Sequence, residues 1–120
     1  MTKPRDLAKK NLSNVNLATD DLAGADLHEA NLRRANLQET DLRGADLAGA
    51  DLTDANLGGA SLRDATATDA MLEGADLRGA DLTGADLHGA RLAGAKLDDA
   101  DREAAELAGA KIDPASPEEH

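Results

Sequence analysis

Leucine recurs at every fifth position along nearly the whole chain, from Leu7 onwards. The register contains 22 positions up to Ile112, of which 19 hold Leu, and its other exceptions are Ala67 and Arg102. The position two residues earlier is Ala in 17 of the 22 units, and the residue between is mostly Asp or Asn, as in Ala25-Asp26-Leu27. The chain is therefore a tandem repeat with one large apolar position in each five-residue unit.

A period of five matches neither a straight helix nor a straight strand. On an α-helix, with about 100° per residue, successive leucines would be rotated by roughly 140° and would spread around the surface. On a strand, where side chains alternate between faces, an odd spacing would place successive leucines on opposite faces. A chain that bends by about a right angle once per unit directs every Leu inward. About four units then close a coil of roughly 20 residues, and successive coils stack about 4.8 Å apart.

Glycine marks the predicted corners of this coil. Ten of the 11 glycines lie two residues after the Leu position. In a turn such as Leu42-Arg43-Gly44-Ala45 this is the third residue, where a type II turn requires a positive φ. Where another residue stands there, such as Asp54, we expect a type I or irregular turn.

The A-(D/N)-L-x-x pattern resembles that of the pentapeptide-repeat family over residues 5–112. The resemblance implies an all-β fold, a right-handed quadrilateral parallel β-helix, with about five and a half coils formed by the 22 units. Functions in this family are diverse and mostly unassigned. Its best-understood members are acidic DNA mimics that bind type II topoisomerases and protect them from drugs.

The core must be built from Leu and Ala, because the chain contains no Phe, Tyr, Trp or Cys. Ala67 is the one small residue at an interior Leu position, between Leu47 and Leu87 on the same wall. It leaves either a void or a space that Met71 or Leu72 shifts to fill.

We expect one β-helix domain over residues 1–112, followed by a disordered acidic tail at 113–120. The first coil is expected to be an irregular N-terminal cap, since charged or larger residues replace the usual Ala there. These residues are Arg5, Lys10, Val15 and Asp20.

Two local alternatives stay open. Asp20 would stack below Thr40 and could accept its hydroxyl hydrogen, or it could extend into solvent. Residues 98–109 could continue the coil, which we favour because the five-residue register persists, or form a capping helix that ends at Gly109. Continued coil would place Arg102 at an inward position. The apolar residues of such a helix would be Ala100, Ala104, Leu107 and Ala108.

The net charge of −11 limits the partners that the chain can bind. It disfavours direct contact with nucleic acid or with an anionic membrane, and we expect another protein as the partner, with a basic or DNA-binding protein left open. The N-terminal residues contain no apolar signal, and no apolar run approaches the length of a membrane span, so a cytoplasmic location is expected.

No catalytic or cofactor motif is present: the sequence has no Cys, no phosphate-binding loop, no dinucleotide-binding glycine pattern and no H-E-x-x-H stretch. We therefore expect no enzyme activity, no cofactor and no metal site. His28 and His88 fall on the same wall, but three coils, or about 14 Å, separate them. That distance is too large for one metal ion, so we expect two exposed surface histidines.

Stacking at 20 residues gathers much of the acidity on two adjacent walls, which we call the acidic ridge. Its residues are Asp21, Asp26, Asp41, Asp46, Asp81, Asp86, Asp101 and Glu106. Three interpretations remain open: a solvated face that keeps the protein soluble, a docking surface for a basic or DNA-binding protein, and a cation site between stacked carboxylates.

Two functional hypotheses follow. The first is a non-enzymatic scaffold or protein-interaction module that uses its flat outer walls, as a monomer or an end-to-end homodimer. The second, implied by the resemblance, is an acidic DNA mimic that binds gyrase, a type II topoisomerase, and confers drug tolerance. The chain departs from the topoisomerase-binding members because it is short, has Leu where they often have Phe, and lacks projecting loops and an aromatic C-terminal dimer contact.

Overall fold

The chain forms a β-solenoid in a computed structural model, which describes residues 5–112. Isolated parallel bridges pair the residue before each Leu position with the residue 20 positions later, from Asp6 with Asp26 up to Asp76 with Lys96. No strand longer than one bridged residue forms within the described part of the chain. The predicted repeat solenoid is therefore confirmed. The predicted disordered tail at 113–120 lies outside the described residues.

The leucine positions point inward, as predicted. Between residues 22 and 77 every Leu at the repeat position has at most 5% of its surface exposed, and the Ala positions from Ala25 to Ala75 are buried as well. Leu fills the interior, and Ala carries only a methyl group, so the chain can turn close to the core. The leucines of the first coil, Leu7, Leu12 and Leu17, are half-buried because they lie at the end of the coil stack formed by residues 5–112.

Every corner up to residue 94 has the same turn, whatever residue stands at its third position. In Leu52-Thr53-Asp54-Ala55 the Ala55 N–H donates to the Leu52 carbonyl oxygen at 2.9 Å, and Asp54 has a φ of 59°. Nine non-glycine residues, from Lys9 to Asp69, adopt this left-handed conformation, at about 1–2 kcal/mol each. The expected type I or irregular turn at Asp54 is therefore wrong. Hydrogen bonds to the stacked coils impose one corner geometry on the units up to residue 94.

Charged side chains pair with each other at the start of the solenoid. The Arg5 guanidinium donates to both carboxylate oxygens of Asp20, at 3.0 and 3.1 Å. The Thr40 hydroxyl donates to the backbone carbonyl of Leu17 at 2.8 Å. The alternative in which Asp20 accepts the Thr40 hydroxyl hydrogen is therefore wrong, because Arg5 offers that carboxylate a charged partner.

One α-helix, α1, spans Asp99–Leu107, so the favoured continuation of the coil over 98–109 is wrong and the alternative, a capping helix, is observed. Arg102 provides the physical reason. In the coil register its guanidinium would enter the apolar interior, where an unpaired charge costs several kcal/mol. In α1 Arg102 is exposed and Ala105 is buried, whereas Ala104, part of the expected apolar face, is exposed.

The helix ends at Leu107, two residues before the predicted glycine, and the coil register then resumes. Gly109 has a φ of 93°, its N–H donates to the Glu106 carbonyl at 3.1 Å, and the Ala110 N–H donates to the Ala105 carbonyl at 3.0 Å. These two bonds form a Schellman motif, which requires a left-handed residue such as Gly. Lys111 then bridges to Arg91 in the parallel sense, so α1 interrupts the register without shifting it.

A small apolar cavity remains in the core beside Ala67. The cavity has a volume of ≈ 10 Å³, and only Leu and Ala side chains line it. Leu47 and Leu87, which stack on either side of Ala67, are among them, whereas Met71 lies on an outer wall and does not fill the space. Of the two alternatives for Ala67, the structure shows the void.

We expect Ala67→Leu to raise the free energy of unfolding by about 1–2 kcal/mol, because the added methyl groups fill this void. Leu47→Ala enlarges the void in the same column and should lower it by about 2–5 kcal/mol. Reversible denaturant melts measure both, and the two effects should be non-additive because the sites stack one coil apart. An Ala67→Leu variant less stable than the parent would mean that the space beside Ala67 cannot hold a leucine side chain. A Leu47→Ala variant without cost would contradict the inward-leucine core.

Candidate functional site: the acidic ridge

Six of the eight acidic-ridge residues lie in two columns on adjacent walls. All six are partly or fully exposed. One column consists of Asp21, Asp41, Ser61 and Asp81, and the other of Asp26, Asp46, Thr66 and Asp86. The carboxylates within each column are therefore one coil apart, except where a hydroxyl residue interrupts them.

Asp101 and Glu106 do not extend these columns, because both belong to α1. The expected stacking of these two residues is therefore wrong. Asp101 nevertheless stays close to the ridge: burial raises the pKa of its carboxyl, and the negative charges of Asp98 and Asp81 raise it further. The regular columns end at Asp81 and Asp86.

The unit from Asp46 to Ala50 shows what the wall residue does for the backbone. The Asp46 N–H donates to the preceding coil at 2.9 Å, and the N–H groups of Leu47 and Gly49 donate to the following coil at 2.6 and 2.9 Å. The Ala50 N–H closes the turn at 3.0 Å. The fifth donor, the Ala48 N–H, donates to the side-chain Oδ1 of Asp46 at 3.0 Å. The wall residue thus supplies the acceptor that the backbone lacks.

Every Asp or Asn at this position between residues 6 and 86 makes the same bond. Its Oδ1 accepts the backbone N–H two residues later, at distances up to 3.4 Å. These residues are Asp6, Asn11, Asn16, Asp21, Asp26, Asn31, Asn36, Asp41, Asp46, Asp51, Asn56, Asp76, Asp81 and Asp86. Sequence reasoning missed this role, although Asp or Asn two residues before a turn amide is its usual signal.

Asp and Asn are equivalent for this bond, but they are distributed unevenly over the walls. On the two ridge walls all such residues are aspartates: Asp6, Asp21, Asp26, Asp41, Asp46, Asp81 and Asp86. The other two walls carry Asn11, Asn16, Asn31, Asn36 and Asn56, with Asp51 and Asp76. The turn does not require this choice, so the negative charge is a separate property of the ridge.

Two arginines reduce the charge of the ridge. Arg43 donates to both oxygens of Asp41, at 2.9 and 2.7 Å, which lowers the pKa of that carboxyl. Hydrogen bonds from Thr83, and a weaker contribution from Arg63 at 3.2 Å, lower the pKa of Asp81. Among the six aspartates of the two columns, Asp21, Asp46 and Asp86 make no ion pair within residues 5–112.

His28 is part of a cluster on the ridge and is not an isolated surface histidine. Its Nδ1 lies 2.7 Å from Oδ1 of Asp26, and this hydrogen bond raises the pKa of His28 and lowers the pKa of Asp26. One donor atom each from Asp26, His28 and Asp46 lie within 4.8 Å of one another. Sequence reasoning considered only the separation of His28 from His88 and missed this cluster. Its signal is the spacing i, i+2 and i+20.

The interior offers no polar chemistry. Thr40 is the one polar residue that is fully buried among residues 5–112. Within the same range, no buried side-chain nitrogen or oxygen lacks a hydrogen-bond partner. Over this part of the chain, no helix has the length and apolar character needed to cross a membrane.

Comparison with known proteins finds one family. The family model described as pentapeptide repeats matches residues 11–49, 45–84 and 85–113. A pentapeptide repeat protein from the cyanobacterium Cyanothece 51142 is 38% identical, with a TM-score of 0.68, over 94% of this chain and 67% of that chain. Another, from the thylakoid lumen of Arabidopsis thaliana, is 30% identical, with a TM-score of 0.67, over 96% of this chain and 83% of that chain. No curated protein sequence matches.

Two substitutions at Asp86 separate its turn bond from its charge. Asp86→Asn keeps Oδ1 and should change the free energy of unfolding by no more than about 0.5 kcal/mol. Asp86→Ala removes the acceptor of the His88 N–H, now 3.1 Å away, and should lower it by about 1 kcal/mol. Denaturant melts of the two variants check this difference. Equal stabilities would mean that the side-chain bond contributes nothing.

Proposed function

This chain belongs to the pentapeptide-repeat family, and from that premise we propose that it is a non-enzymatic interaction module whose acidic ridge binds a basic partner protein. The uneven use of Asp and Asn carries the proposal. Both residues satisfy the turn equally, yet every Asp or Asn of the ridge walls is Asp, and five of seven on the other walls are Asn. Negative charge is thus concentrated where the fold does not need it.

The rigidity of the ridge side chains supports binding. In each of the six column aspartates Oδ1 accepts an N–H of its own turn, which restricts the side-chain rotamers and reduces the rotamer freedom lost on binding. A preorganised row of charge favours fast, salt-dependent association with a positively charged surface. The carboxylates of Asp21, Asp46 and Asp86 are the ones we expect a partner to neutralise.

The DNA-mimic hypothesis has less support. A mimic of duplex DNA needs an almost continuous line of negative charge. The two columns are interrupted by Ser61 and Thr66, and Arg43 and Arg63 lie on the same wall as one of them. Gyrase binding is therefore the alternative that the supercoiling assay below tests.

The proposal includes finer features that the sequence pattern predicts. We take the solenoid to be right-handed, with about five and a half coil equivalents along the chain when α1 is counted. We also propose a cytoplasmic location, no cofactor, and a monomer or an end-to-end homodimer.

The test uses substitutions that remove charge and keep the fold. A ridge variant carries Asp21→Asn, Asp46→Asn and Asp86→Asn, all of which retain Oδ1. Proteins captured from the host extract by the immobilised parent chain are identified, and their affinities are measured with purified components. We expect basic partners, bound on the order of tenfold more weakly by the ridge variant and more weakly at higher salt.

A matched control carries Asp51→Asn, Asp54→Asn and Asp76→Asn on the other walls, with the same change in net charge. It should bind as the parent does. Equal loss by both variants would mean that net charge alone attracts the partner, and no loss by either would remove the ridge as a binding surface. In a supercoiling assay with purified gyrase and a fluoroquinolone, the parent chain should neither inhibit nor protect the enzyme. Inhibition or protection would favour the DNA mimic.

A further inference from the structure

The cluster of Asp26, His28 and Asp46 combines a nitrogen donor with two carboxylates at one point of the ridge. Two of these residues lie on one corner of a coil, and the third is contributed by the following coil through the Asp26–Asp46 bridge. Their donor atoms lie within 4.8 Å of one another, which small side-chain rotations can bring onto one ion. All three side chains are only partly buried, so such rotations are open to them.

The surface beside the cluster is an open groove. His28 and Asp46 line it, together with Thr68 of the next coil. Ala48 and Gly49 line it as well, and the Glu29 side chain lies against Gly49. Glu29 and Asp69 stand at the same groove and add negative charge around it. An ion bound by the cluster would therefore keep access to water or to a further ligand.

We propose that Asp26, His28 and Asp46 bind one divalent transition-metal ion of the Zn²⁺ type, with solvent completing its coordination. Zn²⁺ accepts imidazole nitrogen at about 2.0–2.1 Å and carboxylate oxygen at about 2.0–2.2 Å, commonly with four ligands. Ca²⁺ and Mg²⁺ prefer sets composed of oxygen donors, so an imidazole selects against them. The site shares Asp26 and Asp46 with the acidic ridge, but its ligand is a metal ion and not a basic protein. Metal titration therefore tests it separately from partner binding.

The ion takes the place of a proton. In the metal-free chain His28 Nδ1 and Asp26 Oδ1 share a hydrogen at 2.7 Å. The groups that act on His28 are the carboxylates of Asp26, Glu29 and Asp46. Asp6 and Lys9 face it from the preceding coil, and Asp69 faces it from the groove. Because an imidazole nitrogen binds a metal ion only when it carries no proton, metal affinity should fall at acidic pH.

His88 provides a natural control within the same chain. It follows Asp86 at the same spacing as His28 follows Asp26, and on the same wall. The residue one coil after Asp86, which corresponds to Asp46 in the cluster, is Glu106, and Glu106 belongs to α1. The His88 ring packs against Gly109 instead. Among the described residues, the Asp26 cluster is the one group of three donors that comes together.

Isothermal titration of the chelator-treated full chain with Zn²⁺ tests the site. We expect one ion per chain in the parent and in His88→Gln. His28→Gln should weaken binding at least about 10–100-fold, since even outer-shell partners of metal ligands contribute that much. Asp46→Asn should weaken it as well. Repeating the titration in buffers of different ionisation enthalpy should show proton release near neutral pH, and titration with Ca²⁺ should show no site.

Circular dichroism melts confirm that each variant is folded, which is expected because His28 is partly exposed. Zn²⁺ binding that is unchanged in His28→Gln, or lost equally in His88→Gln, would overturn the proposal and indicate adventitious binding to surface carboxylates. Failure of the parent to bind Zn²⁺ at millimolar concentration would also overturn it. None of these outcomes depends on the presence of a protein partner, so the site and the proposed function can fail separately.

Discussion

Each five-residue unit brings five backbone N–H groups to a corner, and all of them need acceptors because the coils stack around an apolar core. In the unit from Asp46 to Ala50, two donate to the following coil, one donates to the preceding coil and one closes the turn. The fifth is accepted by the wall side chain, here and wherever an Asp or Asn stands at that position between residues 6 and 86. The inward Leu, the small Ala and the left-handed third residue all follow from repeating this corner. Residues as different as Lys9 and Asp69 adopt the same positive φ because the corner allows no other.

The surface of the protein follows from the same requirement. Since Asp and Asn serve the corner equally, a wall can be charged or neutral without any change in backbone structure. On the ridge walls these positions hold Asp, which concentrates carboxylates there. Arg43 and Arg63 neutralise part of this negative charge through ion pairs with Asp41 and Asp81. Asp26 and Asp46 hold their turns and also face His28, so residues that build the solenoid also form its candidate ligand sites.

The architecture could be predicted from the sequence because the five-residue pattern recurs over 22 positions. A spacing of five that persists over so many units is compatible with a chain that bends once per unit and with neither a straight helix nor a straight strand. The predictions that failed concern competition between interactions. Asp54 was expected to choose its own turn, but hydrogen bonds to the stacked coils decide it. Arg102 fits the register by count, but its charge cannot be buried, and α1 forms instead. His28 was compared with the wrong partner, because the contact that matters depends on a neighbouring coil as well as on sequence spacing.

The most direct test of this account is deletion of whole coils. Removing residues 45–64 takes out 20 residues and rejoins Gly44 to Ala65 with every corner and column in register. We predict a folded chain that unfolds cooperatively in denaturant, with the far-ultraviolet circular dichroism of the parent. Removing residues 45–65, one residue more, leaves a unit of four that lacks its Ala and cannot form the corner, and cooperative unfolding should be lost or shifted to much lower denaturant. Equal stability of the two deletions would contradict the five-residue corner as the basis of the fold.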